Sequence, residues 1–459
     1  MEKTIQKNSK QKDSSSNSVF KKRIHYHIHN GRFVENGTKD FKFDVATNEI
    51  ESEDVFEEDL LLLSFPIDYF NNIDSVLKHF NLKNSSEFFI DQCKEVIAVS
   101  ENHQNEKGGG KMSFQAFFHN IPESICSVND EAIVVLAINP DGNIKDAESP
   151  VNYHIAGYIH ANVFHFKPDP SKDQVEMGYY YNMLRISEKE VNGINIYRRK
   201  KVFSLMFSIL HSLTEQNDVK FAFACMGKEN ESIKAALHVN SNRFKKHYER
   251  LPFTIFSQVN LFSGSKRYSQ ELVEITHNEI MLKKMYQMVH EKMSKYLFFN
   301  HLTEESFLSL IKKLVGYSKS SGVFMIPDKN GDIAAASIAM NYGDFFEFKI
   351  KNPKGIFRIV QATGVMKNFL RLLMAVGEPK SFEKLLKGLS YKYHKEYNVG
   401  VSFLPTFKGD PFYNVYKSIL DDKYMFFVIC RDKAWLQELK ERSADAKGNP
   451  RLFVDHPIT

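Results

Sequence analysis

Residues 201–210, K-V-F-S-L-M-F-S-I-L, and 217–223, N-D-V-K-F-A-F, decide the fold. The first run reads as a helix opened by the basic stretch Arg198 to Lys201. The second reads as the approach to a strand that spans Val219 to Met226. The same helix–strand pair returns as K-S-F-E-K-L-L-K-G-L at 380–389 and Y-N-V-G-V-S-F at 397–403. Phe203 then matches Phe382, and Val219 matches Val399. A turn between strands also recurs. The first copy is V-L-A-I-N-P-D-G-N-I at 135–144, followed by I-A-G-Y-I-H-A-N at 155–162. The second is V-F-M-I-P-D-K-N-G-D-I at 323–333, running directly into A-A-A-S-I-A-M-N at 334–341. Both matches keep an offset of roughly 180 to 190 residues, a period of domain duplication and not of a solenoid.

Outward from these anchors, residues 21–37 alternate and carry the turn pairs Asn30-Gly31 and Asn36-Gly37, which predicts strands and tight turns. A helix is expected over Asp68 to Leu82, with Phe70, Ile73, Val76, Leu77 and Phe80 at helical spacing. A second is expected over Ser85 to Val99, starting at Ser86. The polar, Gly-rich run 101–111 reads as a loop. Strands follow at Glu131–Asn139, Ile155–Phe166 and Val175–Ile186. After the strand ending at Met226, a helical stretch and the strand Phe253–Val259 close the first unit. In the second unit, Tyr268 to Leu297 reads as one helix with Met281, Met285, Met288 and Val289 on one face. Thr303 caps a further helix through Leu314.

Bulk properties bound the function. A chain of 459 residues exceeds one ordinary core and fits two or three domains. Apolar residues at 42% and charged residues at 25% are ordinary for globular proteins. A net charge of +5 is weak on this length, so nucleic acid is not an expected partner without a local patch. Cys93, Cys126, Cys225 and Cys430 form no C-x-x-C pair and read as reduced, buried thiols of a cytoplasmic protein. No apolar run is long enough to span a membrane. Residues 1–22 read as a disordered basic and polar tail without a secretory core. The expected organisation is a first domain over 23–265 and a second over 266–459.

This element order, helix–helix–strand–strand–strand, then a loop and helix, then strand, helix and strand, resembles the GNAT superfamily of acyl-CoA N-acyltransferases. The resemblance covers nearly the whole chain after the tail. It implies an α/β fold of two tandem GNAT-like domains, each a mixed, mostly antiparallel sheet flanked by helices. It also implies acetyl-CoA or another acyl-CoA as co-substrate, no metal, and a small-molecule or peptide amine as acceptor.

The family's Arg/Gln-x-x-Gly-x-Gly/Ala loop holds pyrophosphate on backbone N–H groups at a helix N-terminus. The matching residues here are Arg198, Arg199, Lys200, Lys201, Val202 and Phe203. Lys201 and Phe203 replace both glycines, so charge must do what close backbone approach does elsewhere. The second half has Gly377-Glu378-Pro379-Lys380-Ser381 at this place, without a basic cluster. The resemblance further implies that main-chain groups of Met183, Leu184, Arg185 and Ile186 pair with pantetheine and polarise the thioester. Tyr248, in Tyr248-Glu249-Arg250-Leu251-Pro252-Phe253, matches the family's general acid with Pro252 in place of Gly. Tyr413 or Tyr416 is the counterpart in the second half. Glu176 is the candidate base for the amine.

Other clusters have plainer readings. His25, His27 and His29 share one strand face but lack a local fourth ligand for zinc. His154, His160 and His165 line a cleft or satisfy buried hydrogen bonds, and His160 is the one placed to touch substrate. Asp328 to Asp332 reads as a hairpin turn, since the acidic residue that would complete a calcium loop is missing. The basic run Arg243 to Arg250 reads as a solvated helix face.

Overall fold

The computed structural model describes residues 20–29, 32–36, 58–67, 70, 73–83, 85–98, 113–121, 131–141, 148–167, 174–187, 190–191, 194–195, 202–216, 219–227, 247–261, 264–294, 301–351, 358, 362, 368–407, 410–415 and 420–443. Most of the expected tail and the basic stretch Arg198 to Lys201 lie outside them. The first half contributes β1 (Phe20–His29), β2 (Arg32–Asn36), β3 (Glu58–Pro66), α1 (Ile73–His79), α2 (Ser86–Ile97), β4 (Ser113–Phe118), β5 (Ala132–Pro140), β6 (Tyr153–Phe166) and β7 (Glu176–Ile186). It continues with β8 (Glu190–Val191), β9 (Ile194–Asn195), α3 (Val202–Gln216), β10 (Phe221–Gly227) and β11 (His247–Leu261). The second half contributes α4 (Lys266–Glu271), β12 (Val273–Glu274), α5 (Glu279–Met293), α6 (Glu304–Tyr317), β13 (Gly322–Pro327), β14 (Ile333–Asn341), a single 3-10 turn at Tyr342–Asp344 and β15 (Phe346–Lys351). It ends with β16 (Phe369–Gly377), α7 (Pro379–Tyr397), β17 (Val401–Phe407), β18 (Leu420–Cys430) and α8 (Lys433–Arg442).

Local chemistry sets many of these boundaries. Ser85 caps α2 by accepting from the Phe88 amide, and Thr303 caps α6 by accepting from the Ser306 amide at 3.1 Å. His29 pairs with Arg32 across the hairpin that Asn30-Gly31 signals. Asp328 Oδ1 accepts from the amides of Asn330 and Asp332, and Gly331 takes φ +85°, which makes the expected turn between β13 and β14.

Two expectations need correction. The helix read over Tyr268 to Leu297 is interrupted. The β-branched residues Val273, Ile275 and Thr276 leave the helix, and Val273 and Glu274 pair with β13 instead. Asn278 then restarts the chain as the cap of α5, accepting from the Met281 amide at 3.2 Å. The end of the basic run, His247 to Arg250, is strand and not helix: its residues pair with Cys430 to Phe427 of β18. Leu60 to Leu63, a continuous apolar run, form β3, which is buried on both faces and lies between β1 and β5.

Among the described residues fourteen strands make one sheet, ordered β12-β13-β14-β16-β17-β11-β18-β10-β7-β6-β5-β3-β1-β2. It is mixed and mostly antiparallel. The parallel pairs are β1–β3, β7–β10 and β16–β17. From its centre the order reads alike in both directions. One way run β18, β10, β7, β6 and β5; the other way run β11, β17, β16, β14 and β13. Each half has therefore given its last strand to the other: β11 lies against β17, and β18 lies against β10.

The faces are layered. On one face α1, α2, α5 and α6 share a continuous apolar core with both halves of the sheet. On the other face α3 covers β5, β6, β7 and β10, and α7 covers β14 and β16. Among the described residues no helix is long and apolar enough to cross a membrane. Cys93 and Cys430 are buried and are not joined in a disulfide, and burial pushes the Cys93 thiol well above its ordinary range.

Candidate active site

Two parallel strands part in the middle of each half. β7 and β10 pair through Gly178–Phe221, Tyr179–Ala222 and Tyr180–Phe223. There the ladder stops, although β7 continues to Ile186 and β10 to Gly227. β16 and β17 pair through Phe369–Val401, Leu370–Ser402 and Arg371–Phe403, and stop at the same point. Beside each divergence lies a bulge. On β7, Met183 and Leu184 stand against Ile159 alone, between the pairs His160–Asn182 and Tyr158–Arg185. On β16, Met374 and Ala375 stand against Ser337 alone, with Met374 at φ +49°. A bulge takes residues out of the ladder and redirects their main-chain groups. The sequence carried no sign of either bulge.

A helix start overlooks the open end of each divergence. In the first half, Gly157 pairs with Ile186, the last residue of β7. A Cβ on Gly157 would lie 2.7 Å from Met206 Cε and 3.0 Å from Val202 Cγ1, so the missing side chain is what lets the first turns of α3 rest on the sheet here. Val202 is fully buried, and Phe203 stacks on Phe207 with centroids 5.6 Å apart. The N-terminus of α3 thus favours an anion beside the open end of β7. Arg198, Arg199, Lys200 and Lys201 immediately precede this helix. In the second half a single residue, Glu378, links β16, which ends at Gly377 with φ +110°, to α7, which starts at Pro379. A Cβ on Gly377 would stand 2.2 Å from the Ala334 carbonyl oxygen, so only glycine fits where the end of β16 lies against β14.

The face away from α3 holds two buried polar side chains of β6 amid its apolar core in the first half. His160 is 2% exposed and Asn162 is 1% exposed. His160 Nδ1 and both amide atoms of Asn162 are buried without a hydrogen-bond partner. Burial, and then the charge of Arg185, pushes His160 down to about 3, so it is a neutral imidazole. Tyr158 meets His160 edge-on at 5.8 Å, and Arg185 donates to the Leu184 carbonyl at 3.0 Å. Gln92 of α2 bounds this face by accepting from the Ile155 amide at 2.9 Å. At the corresponding level of the second half, Arg371 is 3% exposed and bonded to the Tyr342 hydroxyl.

The other candidates scatter. Glu176 lies seven residues before Met183, roughly 23 Å along an extended strand. Its side chain is 9% exposed and tied to Lys220 at 2.5 Å and Gln174 at 3.0 Å, which makes it an ion-pair member at the far end of β7. Tyr248 pairs with Ile429, which pairs with Ala222, so it lies three strands from β7, roughly 14 Å across the sheet. Tyr413 sits in a turn closed by its amide to the Asp410 carbonyl at 3.0 Å, and Tyr416 lies outside the described residues. His154 and His165 are half-exposed and lie 3.8 Å from Asp141 and 3.9 Å from Glu131. His25, His27 and His29 are on β1, as expected for alternation. Among the described residues no three His, Cys, Asp or Glu side chains gather as a metal site.

No family model matches the chain, and no curated protein matches it. Solved structures are similar to it. One is Saccharomyces cerevisiae N-myristoyltransferase with bound myristoyl-CoA, at 11% identity over 76% of this chain and 81% of that one, with a TM-score of 0.45. Another is a GCN5-related N-acetyltransferase from Anabaena variabilis, at 10% identity over 75% of this chain and 71% of that one, with a TM-score of 0.39. Both are likenesses of fold at low identity.

Proposed function

We propose that the chain is an acyl-CoA-dependent N-acyltransferase whose cofactor site is the divergence of β7 and β10. The observation that carries this reading is the conjunction at one place of a three-rung parallel ladder that opens, a bulge at Met183 and Leu184, and a helix N-terminus preceded by four cations. The opening admits a slender chain between strands. Main-chain groups of Met183 to Ile186 pair with it, while Arg198 to Lys201 and the first turn of α3 at Val202 and Phe203 hold its phosphates. The co-substrate supplies a thioester: the amine nitrogen bonds to its carbonyl carbon, the C–S bond breaks, and the proton lost by nitrogen ends on sulfur. Bulge N–H groups aimed at the carbonyl oxygen stabilise the charge that develops there. Residues 23–265 form the catalytic unit on this reading, and 266–459 form the scaffold, since no basic cluster precedes α7 and the buried Arg371–Tyr342 pair occupies the equivalent face.

Lys201 and Phe203, where the resemblance expects glycines, favour a second reading: a tandem protein that binds a nucleotide-containing ligand without turnover. Release of CoA thiol from acyl-CoA in the presence of amines separates the two. The first reading expects amine-dependent release that is lost in Lys200→Glu with Lys201→Glu. Tight binding of CoA with no release for any amine supports the second.

A further inference from the structure

Alternation on β6 places His160 and Asn162 on one face, with Asn182 of β7 directly across from His160. Asn182 lies two residues beyond Tyr180, the β7 member of the last rung, and so on the same face of the strand. The second half provides an internal control. When the two bulges are aligned, Ile338–Leu373 occupies the place of His160–Asn182, and Met340 occupies the place of Asn162. Ile338, Met340 and Leu373 are all buried in the apolar core. The architecture therefore does not need polar groups at these positions; the buried polar group of the second half, Arg371, stands at the place of Tyr180 and is bonded to Tyr342.

A buried polar atom left unpaired destabilises the fold, and folded proteins keep such atoms few. Three of them adjoin the divergence: His160 Nδ1, Asn162 Oδ1 and Asn162 Nδ2. We propose that they recognise the acceptor, and that the acceptor is an amine carrying an amide close by, as in an amino-acid amide or a peptide N-terminus. This rests on the acyltransferase reading. An amide presents an acceptor and a donor side by side, which is what the two free atoms of Asn162 require. A carboxylate presents acceptors only and would face Oδ1. No carboxylate among the described residues bonds to His160 or Asn162, and Arg185 is nearby, so the amine is received uncharged, the form that attacks a thioester.

The test compares glycinamide with ethylamine as acceptors for acetyl-CoA, in the full chain and in His160→Ile with Asn162→Met, the residues of the second half. The wild type is expected to favour glycinamide by about tenfold or more in kcat/KM. The variant is expected to lose that preference, keep its melting shift with acetyl-CoA, and itself melt roughly 2 °C or more higher. Equal use of both amines by the wild type, or an unchanged preference in the variant, overturns the proposal. If acetyl-CoA shifts neither protein, the acyltransferase reading fails, and glycinamide alone decides the pocket. Stabilisation of the wild type but not the variant then upholds it, and equal response assigns the polar atoms to ordered water. If the double variant does not fold, Asn162→Leu alone carries the comparison.

Discussion

Tyr180 and Phe223 form the last rung before β7 and β10 separate, with their rings stacked at 5.1 Å and an interplanar angle of 28°. Phe164 packs against both, at 6.1 Å and 5.8 Å. This aromatic cluster is the fixed point from which the two strands open. Phe223→Ala is expected to cost about 3–5 kcal/mol in urea unfolding, since a fully buried ring leaves a cavity. Phe403, its counterpart on β17, is only partly buried, and Phe403→Ala is expected to cost less, about 1–2 kcal/mol. The reverse ranking would contradict the idea that the first opening is the better anchored.

Gly157 sets the height of α3 above the sheet. Gly157→Val places new atoms against Val202 and the fully buried Met206. A loss of about 1–3 kcal/mol is expected from overpacking. Because the start of α3 must move, acyl-CoA affinity should fall as well. An undiminished affinity, measured by calorimetry on the folded fraction, would remove α3 from the cofactor site.

His160 makes stability depend on pH. Its folded value is pushed from 6.5 to about 3, so between these limits the unfolded chain binds the proton and the folded chain does not. Stability is therefore expected to fall as pH drops below 6.5, by at most about 1.4 kcal/mol per unit from this group. His301, pushed down to about 4 by burial and then by Lys167 and His290, adds in the same direction over a narrower window. Melting at pH 7, 6 and 5 checks this, and His160→Ile is expected to flatten the dependence. An equal slope in the variant would show that His160 is not the neutral group.

Gly377 ends β16 in a conformation that favours glycine. With φ at +110° and the Ala334 carbonyl in its path, Gly377→Ala is expected to lower Tm with a cost of about 1–3 kcal/mol, while acyl-CoA affinity stays unchanged. A fall in affinity would mean that the second half also holds cofactor.

Much of the fold was legible because it is written locally. Caps at Ser85 and Thr303, the Asn30-Gly31 hairpin and the Asp328 turn are each decided within four residues. The recurrence of Phe203 as Phe382 and Val219 as Val399 exposed the repeated order. What the sequence hid is non-local. Nothing within β11 or β18 says that they pair with each other and not inside their own halves. The basic residues from Arg243 to Arg250 masked a strand, because a central strand can carry charge where its end reaches solvent. The two bulges depend on register and have no composition. Of the proposed site, the basic stretch before Val202 and the strand end at Met183 to Ile186 were read from the sequence. His160 was noticed, but Asn162 was missed, although an Asn two residues along an otherwise apolar strand was the available signal. Glu176 was chosen for its place on β7, and its partner Lys220, distant in sequence, could not be foreseen.

The central claim is that acyl-CoA enters the opening between β7 and β10 and is held by the cations before α3. It is tested most directly by thermal melting of the chain with an acyl-CoA series from acetyl to myristoyl, repeated for Lys200→Glu with Lys201→Glu. At a ligand concentration of about 100 times Kd, a stabilisation of about 2.7 kcal/mol is expected for the wild type and little or none for the variant. No shift with any member of the series, or an equal shift in both proteins, would contradict the account.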